Sequence, residues 1–313
     1  MRQAQIDRFG SADELRIAEA PVPGPGPGEV LVRVLAAGTN PIDYKMRDGS
    51  SGAVKDVTAE DFPLVLGREA CGVVETLGEG VDRFGVGDLV FGAAPPGHPG
   101  RCYAEYVVLP ASALARAPEG VDPLVLGGLA LAGTTAWVAV HELAKVASGE
   151  KVLVHGGAGG VGQLMVQLCV AAGAEVWATA STRNQDRLRE LGAHPIDYTR
   201  EDFTAAAPKV DVVLDAVYFD TFEKSLDQLV EGGRVVVLPT LADVGPARER
   251  GIEVHVPRIH EVPAELERMA AEVAAGRLSL EVSRVFPLAE VAQAHQELET
   301  GHTRGKIVLD LRA

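Results

Sequence analysis

Apolar positions along the chain follow two rhythms. Up to Pro118 they form short runs bounded by glycine and proline: Leu15-Arg16-Ile17, then PVPGPGPGE over 21–29, then VLVRVL over 30–35. The middle segment suits neither a helix nor a central strand, whereas the last reads as a strand. Residues 71–74 with Leu77, 88–91 and 103–109 continue the series. Short strands at turn-bounded intervals predict a compact, barrel-like β-domain. From Leu124 to Val146 the chain turns Ala- and Leu-rich with helical spacing, and from Lys151 strands alternate with helices. Strands are predicted over 151–155, 175–179, 211–215 and 234–238, with helices over 160–172, 185–191 and 221–230. This alternation is the signature of a parallel sheet with crossover helices. A helix over 263–275, a strand over 280–286, a helix over 288–300 and a strand over 306–311 close the chain.

With 313 residues, 47% of them hydrophobic, the chain has material for about two cores. No run reaches the ~18 apolar residues of a membrane span, and MRQAQIDRFG lacks the basic start and apolar stretch of a signal peptide. A cytoplasmic location is therefore expected. The formal charge of −15 repels phosphate backbones and anionic membranes, which argues against a nucleic-acid partner. Cys71, Cys102 and Cys169 are far apart and odd in number, so neither a disulfide framework nor a zinc spacing is present.

The most informative motif follows the strand Lys151-Val-Leu-Val-His155. Gly157, Gly159 and Gly162, with Ala158, Gly160 and Val161 between them, satisfy G-x-G-x-x-G and lead into an apolar helix. Its glycines allow a tight turn, close approach to a pyrophosphate and close packing of helix on strand, with the helix N-terminus facing the anion. Alone the run would be only a tight turn; in this strand–turn–helix setting it predicts a dinucleotide site. At the end of the second strand, ATASTRN over 178–184 has no acid to bond a ribose 2′-hydroxyl. Ser181 and Thr182 offer hydroxyls and Arg183 a planar guanidinium suited to a phosphate, so NADPH is expected over NADH. The competing reading makes Arg183 part of a solvated helix start, alongside Arg187 and Arg189.

Beyond that motif, the chain resembles the zinc-independent medium-chain dehydrogenase/reductase family, in its zeta-crystallin-like quinone oxidoreductase branch. The resemblance rests on AGTNPID over 37–43, LGREACGVV over 66–74, AGTTAW over 132–137, the glycine motif and GKIVL over 305–309, and it spans essentially the whole length. It implies an α/β protein with a GroES-like β-barrel catalytic domain (1–120 with 258–313) and an inserted Rossmann doubly wound parallel-sheet domain for NADPH (121–257). Zinc-dependent relatives carry ligands where this chain has Asn40, Arg68 and a residue near Leu131, and their four-cysteine loop is missing, so no metal is expected.

The resemblance also assigns roles. Asn40 corresponds to an amide beside the nicotinamide or substrate oxygen, able to stabilise an oxyanion; Asn40-Pro41 is equally ordinary turn chemistry. Thr135 corresponds to a threonine against the nicotinamide ring, or is simply a helix residue. Tyr198 lies near the adenosine phosphate, or in the core. Lys306 corresponds to a cation against the cofactor phosphates, and Leu238 completes the cofactor set. Asp43 is divided between proton handling and structural support. Arg68 either reaches a substrate oxygen or pairs with Glu69 or Asp43, and the cost of an unpaired buried cation favours the pairing. The tyrosine found after the N-P-x-D segment in many relatives is replaced by Ser51, with Tyr44 pointing elsewhere. Residues 49–62 resemble a substrate-mouth lid, and His98 in the 93–100 loop is a candidate proton source or an ordinary loop histidine.

The expected activity is hydride transfer from NADPH to an electron-poor conjugated carbonyl, most of all a quinone. The alternative is an enone, alkenal or enoyl double-bond reductase. A non-catalytic crystallin-like or RNA-binding role is a third reading, which the charge and the intact motif oppose. A homodimer pairing edge strands at 251–256 is expected from the resemblance.

Overall fold

The computed structural model describes residues 1–239 and 242–312, which divide into two compact units: 1–131 with 260–312, and 132–239 with 242–259. The β-rich unit begins with β1 (Arg2–Ile6), β2 (Arg16–Glu19), β3 (Glu29–Gly38), α1 (Pro41–Arg47), β4 (Leu64–Val65), β5 (Glu69–Leu77), β6 (Leu89–Ala93), β7 (Tyr106–Pro110), β8 (Leu114–Arg116) and the start of α2 (Pro123–Trp137). The second unit carries β9 (Lys151–His155), α3 (Gly162–Ala171), β10 (Glu175–Ala180), α4 (Gln185–Glu190), β11 (His194–Asp197), α5 (Phe203–Ala206), β12 (Val210–Asp215), α6 (Phe222–Leu226), β13 (Leu229–Val237), α7 (Gly245–Glu249) and β14 (Glu253–His255). The chain then returns to the first unit with α8 (Pro263–Ala274), β15 (Val282–Pro287), α9 (Val291–Glu299) and β16 (Lys306–Asp310).

In the β-rich unit β3 is the organising strand. One of its edges pairs with β5, and the other takes β7 along residues 29–33 and β16 along 36–38. The sheet runs β15-β16-β3-β5-β6-β8, and a separate three-stranded sheet has the order β2-β1-β4. Alternate residues of β3, among them Val30, Val32 and Val34, enter a core shared with Val90, Leu109 and Ile307. C-terminal β16 therefore places Lys306 beside the end of β3.

The other unit is a six-stranded parallel sheet of order β11-β10-β9-β12-β13-β14. Sequential strands leave β9 in one direction and then, from β12, in the other. The carboxyl ends of β9 and β12 thus flank the point where the order reverses, which is where open α/β sheets bind ligands.

Several expected boundaries move. The division between the units falls inside α2, because its first half packs on the β-rich unit: a Cβ at Gly127 would lie 2.8 Å from Ala36 Cβ, and one at Gly128 3.2 Å from Val308. The expected helix over 221–230 ends at Leu226, and Leu229 already opens β13. The expectation of no span-length apolar run is also corrected. The helix from Pro123 to Leu143, widened to π geometry after Trp137, has 21 residues and a mean hydropathy of 1.7, with 72% of its apolar window buried within the protein.

Candidate active site

The turn after β9 is built as a cradle. Gly156 takes φ 73°, a left-handed conformation that glycine adopts without a Cβ penalty. A Cβ at Gly162 would fall 2.0 Å from Gly156 O, whereas one at Gly159 would meet only that same oxygen, at 3.3 Å. Gly162 therefore serves packing, and Gly159 leaves its side open for a ligand's backbone approach. Ala158 is buried, Gly160 and Val161 are half-buried, and α3 begins at Gly162. These features fit the pyrophosphate of a dinucleotide, with the N-terminus of α3 to receive it.

A buried network supports this turn from below. His155, fully buried, approaches Thr179 Oγ1 through Nδ1 at 3.1 Å and Ser225 Oγ through Nε2 at 2.8 Å. Ser225 donates onward to Thr221 O, which fixes the His155 proton on Nε2, and burial holds the ring neutral by lowering its pKa. Thr221 Oγ1 donates to Asp215 Oδ2 at 2.7 Å, and the other Asp215 oxygen accepts the N–H groups of Val217 and Tyr218. The carboxyl ends of β9, β10 and β12 are thereby tied together. Nothing in the local pattern of His155 announces this role.

The residues expected to select the cofactor divide. Ser181 precedes a short turn over Thr182–Asn184 in which Arg183 is exposed. Ser181 Oγ accepts Asn184 Nδ2 at 3.2 Å and keeps its own proton to donate. Thr182 departs from expectation: its hydroxyl donates to Asp197 Oδ2 at 2.6 Å and contacts Thr199, so it braces the end of β11 instead of offering a proton to a phosphate. Tyr198, read as either cofactor contact or core, is 52% exposed beside the end of β10, which removes the core reading. Leu238 is half-buried and donates its N–H to Asp215 O, at the carboxyl end of β13. Thr135 is half-buried on α2.

In the β-rich unit Asn40 stands at the start of α1, 7% exposed. Its Nδ2 donates to Glu69 Oε1 at 2.8 Å, and its Oδ1 accepts Lys306 Nζ at 2.6 Å. Lys306 also donates to Thr39 O and Glu69 Oε1, both at 2.8 Å. Those three acceptors take all three ammonium protons, so Lys306 has none left for cofactor phosphates and the expected phosphate contact is corrected. Glu69 Oε2 accepts the N–H of Leu131 at 2.7 Å.

Asp43 is fully buried. Its Oδ2 accepts Asn40 N–H at 2.8 Å and the Tyr103 hydroxyl at 3.1 Å, while Oδ1 has no hydrogen-bond partner among the described residues. Burial raises its pKa to about 6, against the opposing pull of Asn40 N–H and of the Lys306 charge. The geometry gives Asp43 a supporting part: it caps α1 and fixes the backbone of Asn40.

Comparisons with known proteins converge. Residues 26–119 match the alcohol dehydrogenase GroES-like domain, and residues 191–309 match a zinc-binding dehydrogenase family model. The chain is 33% identical to a 2-haloacrylate reductase from Burkholderia sp, covering 98% of both chains. It is 33% identical to an NADPH-dependent alkenal/one oxidoreductase of Arabidopsis thaliana, covering 96% of this chain and 77% of the relative. The solved quinone oxidoreductase of Coxiella burnetii superposes with a TM-score of 0.95 at 38% identity, covering 100% of this chain and 99% of that one. The chain belongs to the zinc-independent medium-chain dehydrogenase/reductase family, in its quinone oxidoreductase branch.

Within this family the donor set does not fit zinc. Asn40 is engaged by Glu69 and Lys306, Leu131 is apolar, and Arg68 is a cation. Arg68 pairs with neither Glu69 nor Asp43, contrary to expectation. Its guanidinium donates to the carbonyls of Ala94 and Pro95, each at 2.9 Å, and of His98, clamping that loop. Burial pulls its pKa below the usual arginine range. Carbonyl dipoles satisfy this planar, five-donor group, while both oxygens of the adjacent Glu69 are already engaged by Asn40, Lys306 and Leu131. His98 Nδ1 accepts Gly100 N–H at 3.1 Å, and burial followed by the Arg68 charge lowers its pKa. The imidazole is therefore a neutral loop brace instead of a protonated acid. Ser51 caps a short turn by accepting Ala53 N–H, and the 49–62 segment is anchored by Val54, Val57 and Phe62 in the core.

Proposed function

We propose that the protein is an NADPH-dependent reductase of electron-poor conjugated carbonyls, with quinones as the main acceptors and enones as the second class. The observation that carries this reading is Asn40. Where zinc enzymes of the family hold a metal ligand, this chain presents an amide whose carbonyl is occupied by Lys306 and whose remaining Nδ2 hydrogen finds no acceptor among the described residues. Such a donor suits an oxygen that gains negative charge. It does not suit deprotonation of an alcohol, for which a Lewis acid would be needed.

The chemistry supplied by the bound dinucleotide is hydride donation from its nicotinamide. The chain's own residues do the rest. Gly159 and the start of α3 receive the pyrophosphate, and Ser181 and Arg183 take the 2′-phosphate, with Tyr198 against the adenosine end. Asn40 donates to the acceptor oxygen as charge develops there. Asp43 is assigned no proton transfer, because its ionisable oxygens are buried and one of them holds the Asn40 backbone; solvent protonates the reduced acceptor. These assignments draw support from the alkenal/one and quinone reductases among the relatives.

Steady-state NADPH oxidation, measured anaerobically against a set of quinones and a set of enones, tests the substrate class. Quinone turnover exceeding enone turnover supports the first reading, enone turnover alone favours the second, and oxidation of neither removes both.

The edge position of β14 supports a further proposal, a homodimer joined by pairing of this strand with its counterpart. Light scattering at micromolar concentration giving a monomer mass would refute it.

A further inference from the structure

Glu69 and Lys306 form an ion pair whose side chains are 0% and 4% exposed. Burying two charges carries a desolvation penalty that an apolar pair of similar volume would avoid. What an apolar pair cannot provide is direction. A carboxylate only accepts hydrogen bonds and an ammonium only donates them. The Asn40 amide lies between the two, with Nδ2 against Glu69 Oε1 and Oδ1 against Lys306 Nζ. Rotating the amide by half a turn would set its NH2 against the ammonium and its carbonyl against the carboxylate, losing both bonds and adding two repulsions.

The frame around this arrangement is rigid. Lys306 also holds Thr39 O, while Thr39 N–H and Oγ1 both donate to Ile307 O at 3.0 Å. Glu69 is held from the other side by Leu131 N–H. Close packing seals the pair: a Cβ at Gly38 would lie 2.3 Å from Glu69 Oε1, and one at Gly128 3.4 Å from Lys306 Cβ.

We propose that Glu69 and Lys306 are positioning residues that lock the Asn40 amide in one sense, so that position 40 offers a hydrogen-bond donor and never an acceptor. The inference rests on the reading of Asn40 as the donor to the acceptor oxygen. It restricts the acceptor to molecules that place a carbonyl or oxyanion oxygen there, and it excludes those that present a hydroxyl or amine proton.

The test compares wild type with the neutral double variant Lys306→Met/Glu69→Gln, each with Asn40 intact and with Asn40→Ala. With Asn40 intact, the double variant should lower kcat by about tenfold or more while leaving the dissociation constant for NADPH, measured by fluorescence, unchanged. With Asn40→Ala already present, the same double substitution should cost nothing further. A direct readout is available because the sequence contains two asparagines, Asn40 and Asn184. In protein labelled with 15N-asparagine, the Asn40 side-chain protons should be resolved and slowly exchanging in wild type, and fast-exchanging in the double variant. Equal loss of kcat in both Asn40 backgrounds, an unchanged kcat, or unchanged Asn40 amide exchange would overturn the proposal. A raised NADPH dissociation constant would return Lys306 to a phosphate contact and overturn it as well. Should the double variant lack native circular dichroism, Glu69→Gln alone is judged by the same outcomes. A wild-type protein that reduces neither quinone nor enone would overturn the functional reading itself; a reducing wild type with uncoupled variants would overturn the positioning role alone.

Discussion

Tyr103 donates its hydroxyl proton to Asp43 Oδ2 across 3.1 Å, both residues wholly buried in the β-rich unit. The direction follows from the rest of the chain of bonds. Arg47 Nη1 faces His295 Nδ1 at 3.4 Å and can only donate, so the His295 proton sits on Nε2, which faces the Tyr103 oxygen at 3.3 Å. Arg47 in turn pairs with Glu299. A carboxyl whose pKa is raised and an imidazole whose pKa is lowered thus share one tyrosine.

Their effects on stability oppose each other with pH. Burial raises Asp43 from 3.8 to about 6, so between those values the folded state holds the extra proton and stability falls as pH rises. Burial and the Arg47 charge lower His295 from 6.5 to about 3, so over that range the unfolded state holds the extra proton and stability rises with pH. The Asp43 contribution is of the order of 3 kcal/mol, since each tenfold change in proton affinity is worth about 1.4 kcal/mol. Asp43→Asn should therefore steepen the rise of melting temperature with pH between 4 and 6, relative to wild type. Replacing His295 with Gln should flatten or reverse it. Thermal unfolding across that range checks both, and curves parallel to wild type would contradict the opposition.

Two glycines of the cradle should fail in different ways. Gly162→Ala places a Cβ 2.0 Å from Gly156 O, and the backbone shift needed to relieve it should cost about 1–3 kcal/mol of stability. Gly159→Ala brings a Cβ to 3.3 Å from the same oxygen, a tight contact that a shift of a few tenths of an ångström relieves, so it should lower the melting temperature far less than Gly162→Ala while weakening NADPH binding. Paired calorimetry and fluorescence titration separate the two.

Arg183 carries the expected preference for the phosphorylated cofactor, since the Thr182 proton is spent on Asp197. Arg183→Ala should raise the NADPH dissociation constant about 10- to 100-fold, the range of a charge-assisted contact, and leave that for NADH within about twofold. Equal weakening of both cofactors would place the guanidinium elsewhere.

Asn40→Ala should lower kcat by about 100-fold, the scale of one lost oxyanion donor, with the NADPH dissociation constant unchanged. Rapid-mixing kinetics with a saturating acceptor measures this directly.

What the sequence made legible was local. The glycine run, its strand and its helix are contiguous along the chain, and each glycine's requirement is a backbone requirement visible in one dimension. The alternation from Lys151 onward likewise announced the parallel sheet. The contacts the sequence hides are those between remote positions. Lys306 meets Asn40 across 266 positions and Arg47 meets His295 across 248, so no periodicity could reveal either pairing. For Arg68 the adjacent carboxylate of Glu69 suggests an ion pair, whereas its partners are carbonyls of a loop 26–30 residues on. Thr182 lay in the correct segment, but its hydroxyl answers to Asp197, which belongs to the next strand of the sheet.

The central claim is best tested by single turnover. Enzyme mixed anaerobically with one equivalent of NADPH and excess benzoquinone should oxidise the nicotinamide completely and yield one equivalent of hydroquinone, and NADH under the same conditions should react far more slowly. Nicotinamide oxidation no faster than in the absence of enzyme, or NADH outpacing NADPH, would contradict the account.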